Sequence, residues 1–389
     1  MEEFSIPRNI YYGKDALSEL RKIKGKSALV VMGGGSVKEN GILDKVLDNL
    51  KFSGMAVNVI NGIPSNPDKE LIVRGAFHLS KYRPDWIVAL GGGSVIDAAK
   101  AMWLWYEQPD LNINRLTSGV DFPELRKKAH FIAIPTTSGT GSEVSPVTVI
   151  TDLDTRFKYA VSNLQLVPDI AILDPSTVEN LPSEIIAYTG MDALTHAIEE
   201  YVGLSHQPFS DALALDAIKT IIENLPKSYN GDLNARENMH YAATRAGMAF
   251  GNSNLGIVHT LSDITGALFS DGFIPHGLAN AIYLPYCIRF NSKQAPERYI
   301  ELASNLGFNG NDEEKINQLI NKIFELNQTF KIPHSLKEYG VKYDEIMDNE
   351  AELKDKALAD GCTSNNPRKI QDDDIMLLLK NIYEGNEDF

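Results

Sequence analysis

Three short apolar runs, each ending in a glycine-rich turn, constrain the fold of this chain more than any other feature. Ser27-Ala28-Leu29-Val30-Val31-Met32 runs into Gly33-Gly34-Gly35-Ser36, and Trp86-Ile87-Val88-Ala89-Leu90 runs into Gly91-Gly92-Gly93-Ser94. His130-Phe131-Ile132-Ala133-Ile134 leads to the third turn, Pro135-Thr136-Thr137-Ser138-Gly139-Thr140-Gly141-Ser142. Runs that are apolar at nearly every position suit strands buried on both faces. A helical stretch from Ile42 to Phe52 precedes another run, Met55 to Ile60, and helix is expected from about Val95. This βαβ alternation predicts a parallel sheet covered by helices.

After about Leu181 the pattern changes. Pro182-Ser183-Glu184 offers a proline and a capping residue, and strand candidates become rare. Ser210 to Asn224, Asn234 to Phe250 and Ile316 to Phe330 carry apolar residues at three- and four-residue spacing. At 389 residues the chain exceeds one ordinary core. Two domains are therefore expected, an α/β domain over 1–181 and a helical domain over 182–389, with an active site between them.

The helical half carries four residues with metal-ligand character. Asp192 and His196 lie four apart in a stretch of strong helix formers, so both project from one face. His259 and His276 follow in Gly256-Ile257-Val258-His259 and Ile274-Pro275-His276-Gly277, where Pro and Gly restrict the backbone around the last histidine. Three imidazoles and one carboxylate suit a divalent first-row metal such as Fe²⁺ or Zn²⁺. The blander reading is a set of satisfied core residues. The remaining histidines, His78, His130, His206, His240 and His334, have no partner motif and read as structural or solvated.

Charge and composition exclude other classes. A net charge of −15 argues against a nucleic-acid partner. Met1-Glu2-Glu3-Phe4-Ser5 has neither the basic nor the apolar region of a secretory signal, and no apolar run approaches the roughly 20 residues of a membrane span. Cys287 and Cys362 form no disulfide framework and read as inert, reduced thiols, so a cytoplasmic location is expected.

A strand that ends in a glycine turn and opens a helix aims backbone N–H groups and the positive helix end at an anion. Gly91 to Ser94 fits this, although by residues alone each Gly-Gly-Gly-Ser reads equally as a tight turn. Neither is a P-loop, since no Gly-Lys-Ser/Thr follows, nor the dinucleotide G-x-G-x-x-G.

The chain resembles the iron-containing (group III) alcohol dehydrogenases, especially the clostridial NADPH-dependent butanol dehydrogenases and the alcohol dehydrogenase half of the bifunctional aldehyde-alcohol dehydrogenases. The resemblance rests on Gly91 to Lys100, Pro135 to Glu143, Gly190-Met191-Asp192-Ala193-Leu194-Thr195-His196 and Pro275-His276-Gly277-Leu278-Ala279-Asn280. It runs from Ile10-Tyr11-Tyr12-Gly13 to Cys362-Thr363-Ser364-Asn365-Asn366-Pro367-Arg368. It implies an α/β dinucleotide-binding domain followed by an all-α metal-binding domain, the dehydroquinate synthase-like fold. It implies that Asp192, His196, His259 and His276 ligate the metal, with Fe²⁺ expected and Zn²⁺ as the alternative. It also implies nucleotide contacts from Gly92, Gly93, Ser94, Asn66, Thr136, Thr137 and Lys158, and a homodimer or larger assembly. Ser138 and Ser142 then read as turn and cofactor residues.

Two positions depart from the family pattern. Many NAD-using members carry Asp where this chain has Gly33, and a carboxylate there would bond the ribose hydroxyls and repel a 2′-phosphate. Gly33, Gly34, Ser36 and Lys38 instead offer backbone donors, a hydroxyl and an ammonium, which favours NADP(H) over NAD(H); Lys38 also reads as an ordinary exposed lysine. Four residues after His259, where the family commonly has a histidine, stands Asp263. It could relay a proton, join the metal shell, tune the site or do none of these; the relay is preferred. Ser270 to Phe273 makes the following segment about three residues longer than in close relatives. The apolar surroundings of His259 and His276 favour a small alcohol or aldehyde such as butanol or butanal. The rival readings are an enzyme of the same architecture acting on a polar substrate, and a non-catalytic descendant.

Overall fold

A computed structural model describes residues 3–111, 122–152, 157–268, 274–387 and 389. The chain divides into two compact units, Met1–Pro182 and Ser183–Phe389.

The first unit is built on a six-stranded parallel sheet. In chain order its strands are β1 (Asn9–Tyr12), β2 (Ser27–Met32), β3 (Ala56–Ile60), β4 (Trp86–Gly91), β5 (His130–Pro135) and, after a separate pair β6 (Val147–Asp152) and β7 (Phe157–Ser162), β8 (Ile170–Leu173). Their order across the sheet is β1-β8-β5-β4-β2-β3. Alternate residues of each central strand feed separate cores, which is why the runs are apolar throughout. Leu29, Val31, Ile87, Ala89, Phe131 and Ala133 pack on one side, with the helices Lys69–Tyr82 and Gly93–Glu107. Ala28, Val30, Met32, Val88, Leu90, Ile132 and Ile134 pack on the other, with the Ala16–Lys22 turn of 3₁₀ helix and the Ile42–Phe52 helix. Each fully buried Val, Leu or Ile contributes roughly 1.5–3 kcal/mol.

The order of strands also marks a switch point. From β2 the chain passes to β3 on one side, then returns to β4 on the other, in register Ser27↔Ala56 and Ala28↔Trp86. In open parallel sheets, ligands bind beyond the carboxyl ends of strands where the winding reverses. Gly33-Gly34-Gly35 ends β2 and Gly91-Gly92-Gly93 ends β4 at that reversal. The antiparallel hairpin of β6 (Val147–Asp152) and β7 (Phe157–Ser162) is a feature the periodicity does not predict. It is fastened to the Gly93–Glu107 helix, because the buried Lys100 donates to the carbonyls of Ser145 and Val147 at 2.7 and 2.9 Å. From the same helix Asp97 accepts from Val149 N at 3.1 Å.

The second unit is helical throughout its described residues. Three of its helices carry the candidate ligands: Ser183–Val202, Ile257–Leu268 and His276–Ser292. The first is buried from Gly190 to Val202 on every face, polar residues included. Buried polar groups rather than apolar ones are the informative feature of such a helix. Among the described residues no helix is long and apolar enough to cross a membrane. Cys287 is buried and Cys362 partly so; both are free thiols, pushed up in pKa by burial.

Candidate metal centre and nucleotide loops

One donor atom each from Asp192, His259 and His276 lies within 4.8 Å of the others. From Asp192 Oδ1 the Nε2 atoms of His276, His259 and His196 stand at 3.6, 3.7 and 3.9 Å. Donors bound at about 2.0–2.2 Å around one tetrahedral cation stand roughly 3.4 Å apart, so the carboxylate-to-imidazole spacings fit a first-row divalent ion. His196 falls outside the mutual 4.8 Å group, although its ring stacks between Phe250 at 4.4 Å and His259 at 4.5 Å.

Backbone chemistry explains the convergence. Asp192 and His196 occupy successive turns of one helix, as their spacing predicts. His276 opens its helix directly after Pro275, whose carbonyl accepts from Leu278 N and Ala279 N. Gly277 lets this helix end lie against the Asp192 helix, since a Cβ there would meet Tyr188 O at 2.2 Å and Asp192 Cβ at 3.2 Å. No larger residue fits.

The electrostatics favour a cation. Burial raises the Asp192 pKa, but the facing His196, His259 and His276 outweigh it and hold the carboxyl well below the usual range. Burial lowers His259, yet the Asp192 and Glu199 carboxylates lift it to about 10. A pocket that stabilises positive charge this strongly is suited to a divalent metal.

Two residues at the centre escaped the sequence reading. Glu199 Oε2 is 2.6 Å from His259 Nδ1, and its Oε1 accepts from Val258 N at 2.7 Å. With the Nδ1 proton donated to Glu199, Nε2 is the nitrogen turned toward Asp192, and a metal displacing its proton would find the tautomer it requires. Asn280 Nδ2 donates to Asp192 Oδ1 at 2.8 Å. Helical spacing was the available signal: Glu199 is i+3 from His196, and Asn280 is i+4 from His276. Behind them, Asn366 Oδ1 accepts from Ile257 N at 3.3 Å and Thr363 Oγ1 hydrogen-bonds Thr260 Oγ1 at 3.0 Å. The Cys362 to Arg368 motif thus braces the helix that carries His259.

Ser262 Oγ lies 3.2 Å from His276 Nδ1, and Asp263 Oδ1 stands 3.5 Å from the same nitrogen of His276. Asp263 and His276 form the open edge of the centre. Their side chains are 33% and 35% exposed for His276 and Asp263, against 4% for Asp192 and His259. The segment Ser270 to Phe273 lies outside the described residues.

In the first unit the glycine turns gather at the ends of neighbouring strands. Thr136 N donates to Gly91 O at 3.0 Å, and a Cβ on Gly93 would meet Thr140 at 2.6 Å. Gly92 caps the Gly93–Glu107 helix without a side-chain bond, and no acid stands in the first turn. Its N–H groups and positive end are therefore available to an anion. Ser94 Oγ donates to Ser65 O, next to the partly buried Asn66. Thr137 borders Gly92, whose Cβ would stand 3.3 Å away. Gly33 is buried, Gly34 has open space around it and Lys38 is exposed. Glu39, just past the span read above, brings Oε1 to 3.1 Å of a Cβ on Gly35. The side chains of Ser36 and Lys158 lie outside the described set.

Comparisons with known proteins agree in both halves. Residues 7–175 match the family model described as "Iron-containing alcohol dehydrogenase", and residues 186–383 match "Fe-containing alcohol dehydrogenase family, C-terminal". An NADPH-dependent butanol dehydrogenase of Clostridium saccharobutylicum is 48% identical over 388 residues, covering 100% of this chain and 99% of that one. An aldehyde-alcohol dehydrogenase of Streptococcus pneumoniae is 36% identical over 99% of this chain, which spans only 46% of that larger protein. Among solved structures, the iron-containing alcohol dehydrogenase of Thermococcus thioreducens superposes with a TM-score of 0.89 at 35% identity, covering 99% of this chain and 100% of the other. With parallel sheet, helical second unit and both family models in agreement, the chain belongs to the iron-containing alcohol dehydrogenase family.

Proposed function

We propose that this chain is an NADP(H)-dependent alcohol dehydrogenase that interconverts small primary alcohols and aldehydes of the butanol and butanal kind. The observation that carries the reading is the convergence of the buried Asp192 and His259 with the partly exposed His276, His196 beside them, in a family of alcohol dehydrogenases. These four residues would hold Fe²⁺, with Zn²⁺ the alternative that the same nitrogen and oxygen donors accept. Gly92, Gly93, Ser94, Asn66, Thr136, Thr137 and Lys158 would hold the nucleotide phosphates and nicotinamide half, and Gly33, Gly34, Ser36 and Lys38 the adenosine end. When bound, the cation supplies Lewis acidity at the substrate oxygen and the nicotinamide supplies or takes the hydride.

The protein's own residues do the rest. Glu199 keeps the Nε2 lone pair of His259 on the donor side. Replacing Glu199 with Gln leaves an acceptor for His259 Nδ1 but turns an amide NH₂ toward the Val258 or His259 backbone N–H. The expected result is a metal affinity about 10–100-fold weaker, measured by competition with a chelator, with turnover largely recovered at saturating metal. Unaltered affinity would remove Glu199 from the centre.

Asp263 is proposed as the proton relay. It lies at the exposed edge, in reach of His276 Nδ1 and of solvent, where a carboxylate can accept the proton an alcohol releases. Asp263→Asn should then slow turnover several-fold or more while metal content and nucleotide affinity stay near those of the parent, and Asp263→His should restore it. Loss of metal in Asp263→Asn would make it a ligand; unchanged kinetics in both would make it a bystander.

The butanol dehydrogenase relative supports the substrate class, and Gly33 supports NADP(H). The whole reading is tested by an anaerobic assay with Fe²⁺ or Zn²⁺, NADPH and butanal. Absence of butanal-dependent NADPH consumption with either metal would sink it, in favour of a polar substrate or a non-catalytic descendant. A cytoplasmic homodimer or larger homo-oligomer is part of the same proposal, and light scattering on the purified protein measures the assembly.

A further inference from the structure

Asn280 is fully buried and sits one turn beyond His276 on the same helix. Its single amide nitrogen faces three of the four proposed donor atoms: Asp192 Oδ1 at 2.8 Å, His259 Nε2 at 3.1 Å and His276 Nε2 at 3.1 Å. Its Oδ1 is buried and accepts no hydrogen bond from any described residue.

The orientation of the amide follows from chemistry. Turned over, it would set Oδ1 against Asp192 Oδ1 at 2.8 Å, two acceptors with no proton between them. The nitrogen therefore points inward, and the price is an orphaned carbonyl. A buried acceptor left without a partner is costly, so the inward N–H must do something that outweighs it.

The three contacts are not equivalent. A neutral imidazole Nε2 has one lone pair, and a metal consumes it. A carboxylate oxygen has two, so Asp192 Oδ1 can serve a cation and accept from Asn280 at once. Only the Asp192 contact is compatible with a loaded centre.

We propose that Asn280 is the positioning residue of the metal centre, holding the Asp192 carboxylate by N–H donation so that its second lone pair faces the cation. This rests on Asp192, His259 and His276 being ligands. It adds to that set a contact between the His276 helix and the Asp192 helix, since Asn280 reaches Asp192 across 88 residues of sequence.

The test compares Asn280→Leu and Asn280→Asp with the parent and with His259→Ala, each loaded with Co²⁺ or Fe²⁺ and stripped by a competing chelator. Leucine copies the branching of the asparagine side chain in bulkier methyl groups, with no donor and no orphaned carbonyl. Asn280→Leu should bind metal about 10–100-fold more weakly and shift the visible spectrum of the Co²⁺ protein at saturating metal. A changed Co²⁺ spectrum in a protein that still loads metal is a signature that a merely structural asparagine would not give. Asn280→Asp should also lose affinity, because it replaces the donor with a second acceptor beside Asp192. The proposal is overturned if Asn280→Leu keeps the parent's affinity and spectrum. It is overturned equally if Asn280→Asp binds as tightly or more so, which would make the side-chain oxygen a ligand. If His259→Ala also keeps its metal, the ligand reading itself has failed; if His259→Ala loses metal while Asn280→Leu keeps it, this proposal alone has.

Discussion

His259→Ala is expected to leave the protein without stoichiometric divalent metal and without measurable alcohol oxidation or aldehyde reduction. The imidazole is 4% exposed, its Nε2 faces Asp192 Oδ1 at 3.7 Å, and its Nδ1 meets Glu199 at 2.6 Å. Truncation removes a donor outright, which must cost more than the roughly 10–100-fold that follows loss of an outer partner. It also takes from the buried Glu199 carboxylate its imidazole partner at 2.6 Å, leaving it the backbone amides of Val258 at 2.7 Å and of residue 259 at 3.4 Å. A buried acceptor deprived of its partner costs about 1–3 kcal/mol, so the variant should melt below the chelated parent as well. Adding Glu199→Gln to His259→Ala should then cost little more metal affinity, because Glu199 acts on the metal through that ring. Elemental analysis of gel-filtered protein reads the first effect and thermal unfolding the second. Stoichiometric metal in His259→Ala would refute the ligand assignment.

The pair of histidine-bearing segments was legible in the sequence because each ligand motif is local. Asp192 and His196 sit at helical spacing, and Pro275 and Gly277 flank His276. The central strands were legible for a similar reason: Ala28 to Met32, Ile87 to Leu90 and Phe131 to Ile134 are apolar at every position, which only burial on both faces demands. What escaped was whatever acts at a distance. Glu199 meets His259 across 60 residues, Asn280 meets Asp192 across 88, and Asn366 braces Ile257 across 109. Each is an unremarkable polar residue on its own element, and one chain carries no record of such pairings. Asn9–Tyr12 escaped by being four residues long and half exposed, too short to show a period. The β6–β7 hairpin escaped because what fixes it is the ammonium of Lys100, a residue that in sequence merely ends a helix motif.

Gly33→Asp should move cofactor preference from NADP(H) toward NAD(H). Gly33 ends β2 at the reversal of the sheet's winding, where a carboxylate would bond ribose hydroxyls and oppose a 2′-phosphate. A close like charge of this kind is worth on the order of 1–3 kcal/mol, or roughly 5–150-fold in the ratio of kcat/KM for the two cofactors. The site resists the change sterically. A Cβ on Gly33 would stand 3.1 Å from Val95 Cγ2 and 3.5 Å from Ile63 O, and the Gly33 carbonyl is pinned by Gly62 N at 3.1 Å. Val95 must give by a few tenths of an ångström, so Gly33→Asp is best paired with Val95→Ala. The single variant carries both charge and strain, Val95→Ala alone carries neither, and the double variant isolates the charge. The neighbouring charges divide: Lys38 favours a dianion, while Glu39, close over Gly35, opposes one. Glu39→Gln should therefore raise the preference for NADP(H), opposite in sign to Gly33→Asp. A parent enzyme that prefers NADH would overturn the reading at once, and so would a double variant whose preference matches that of Val95→Ala.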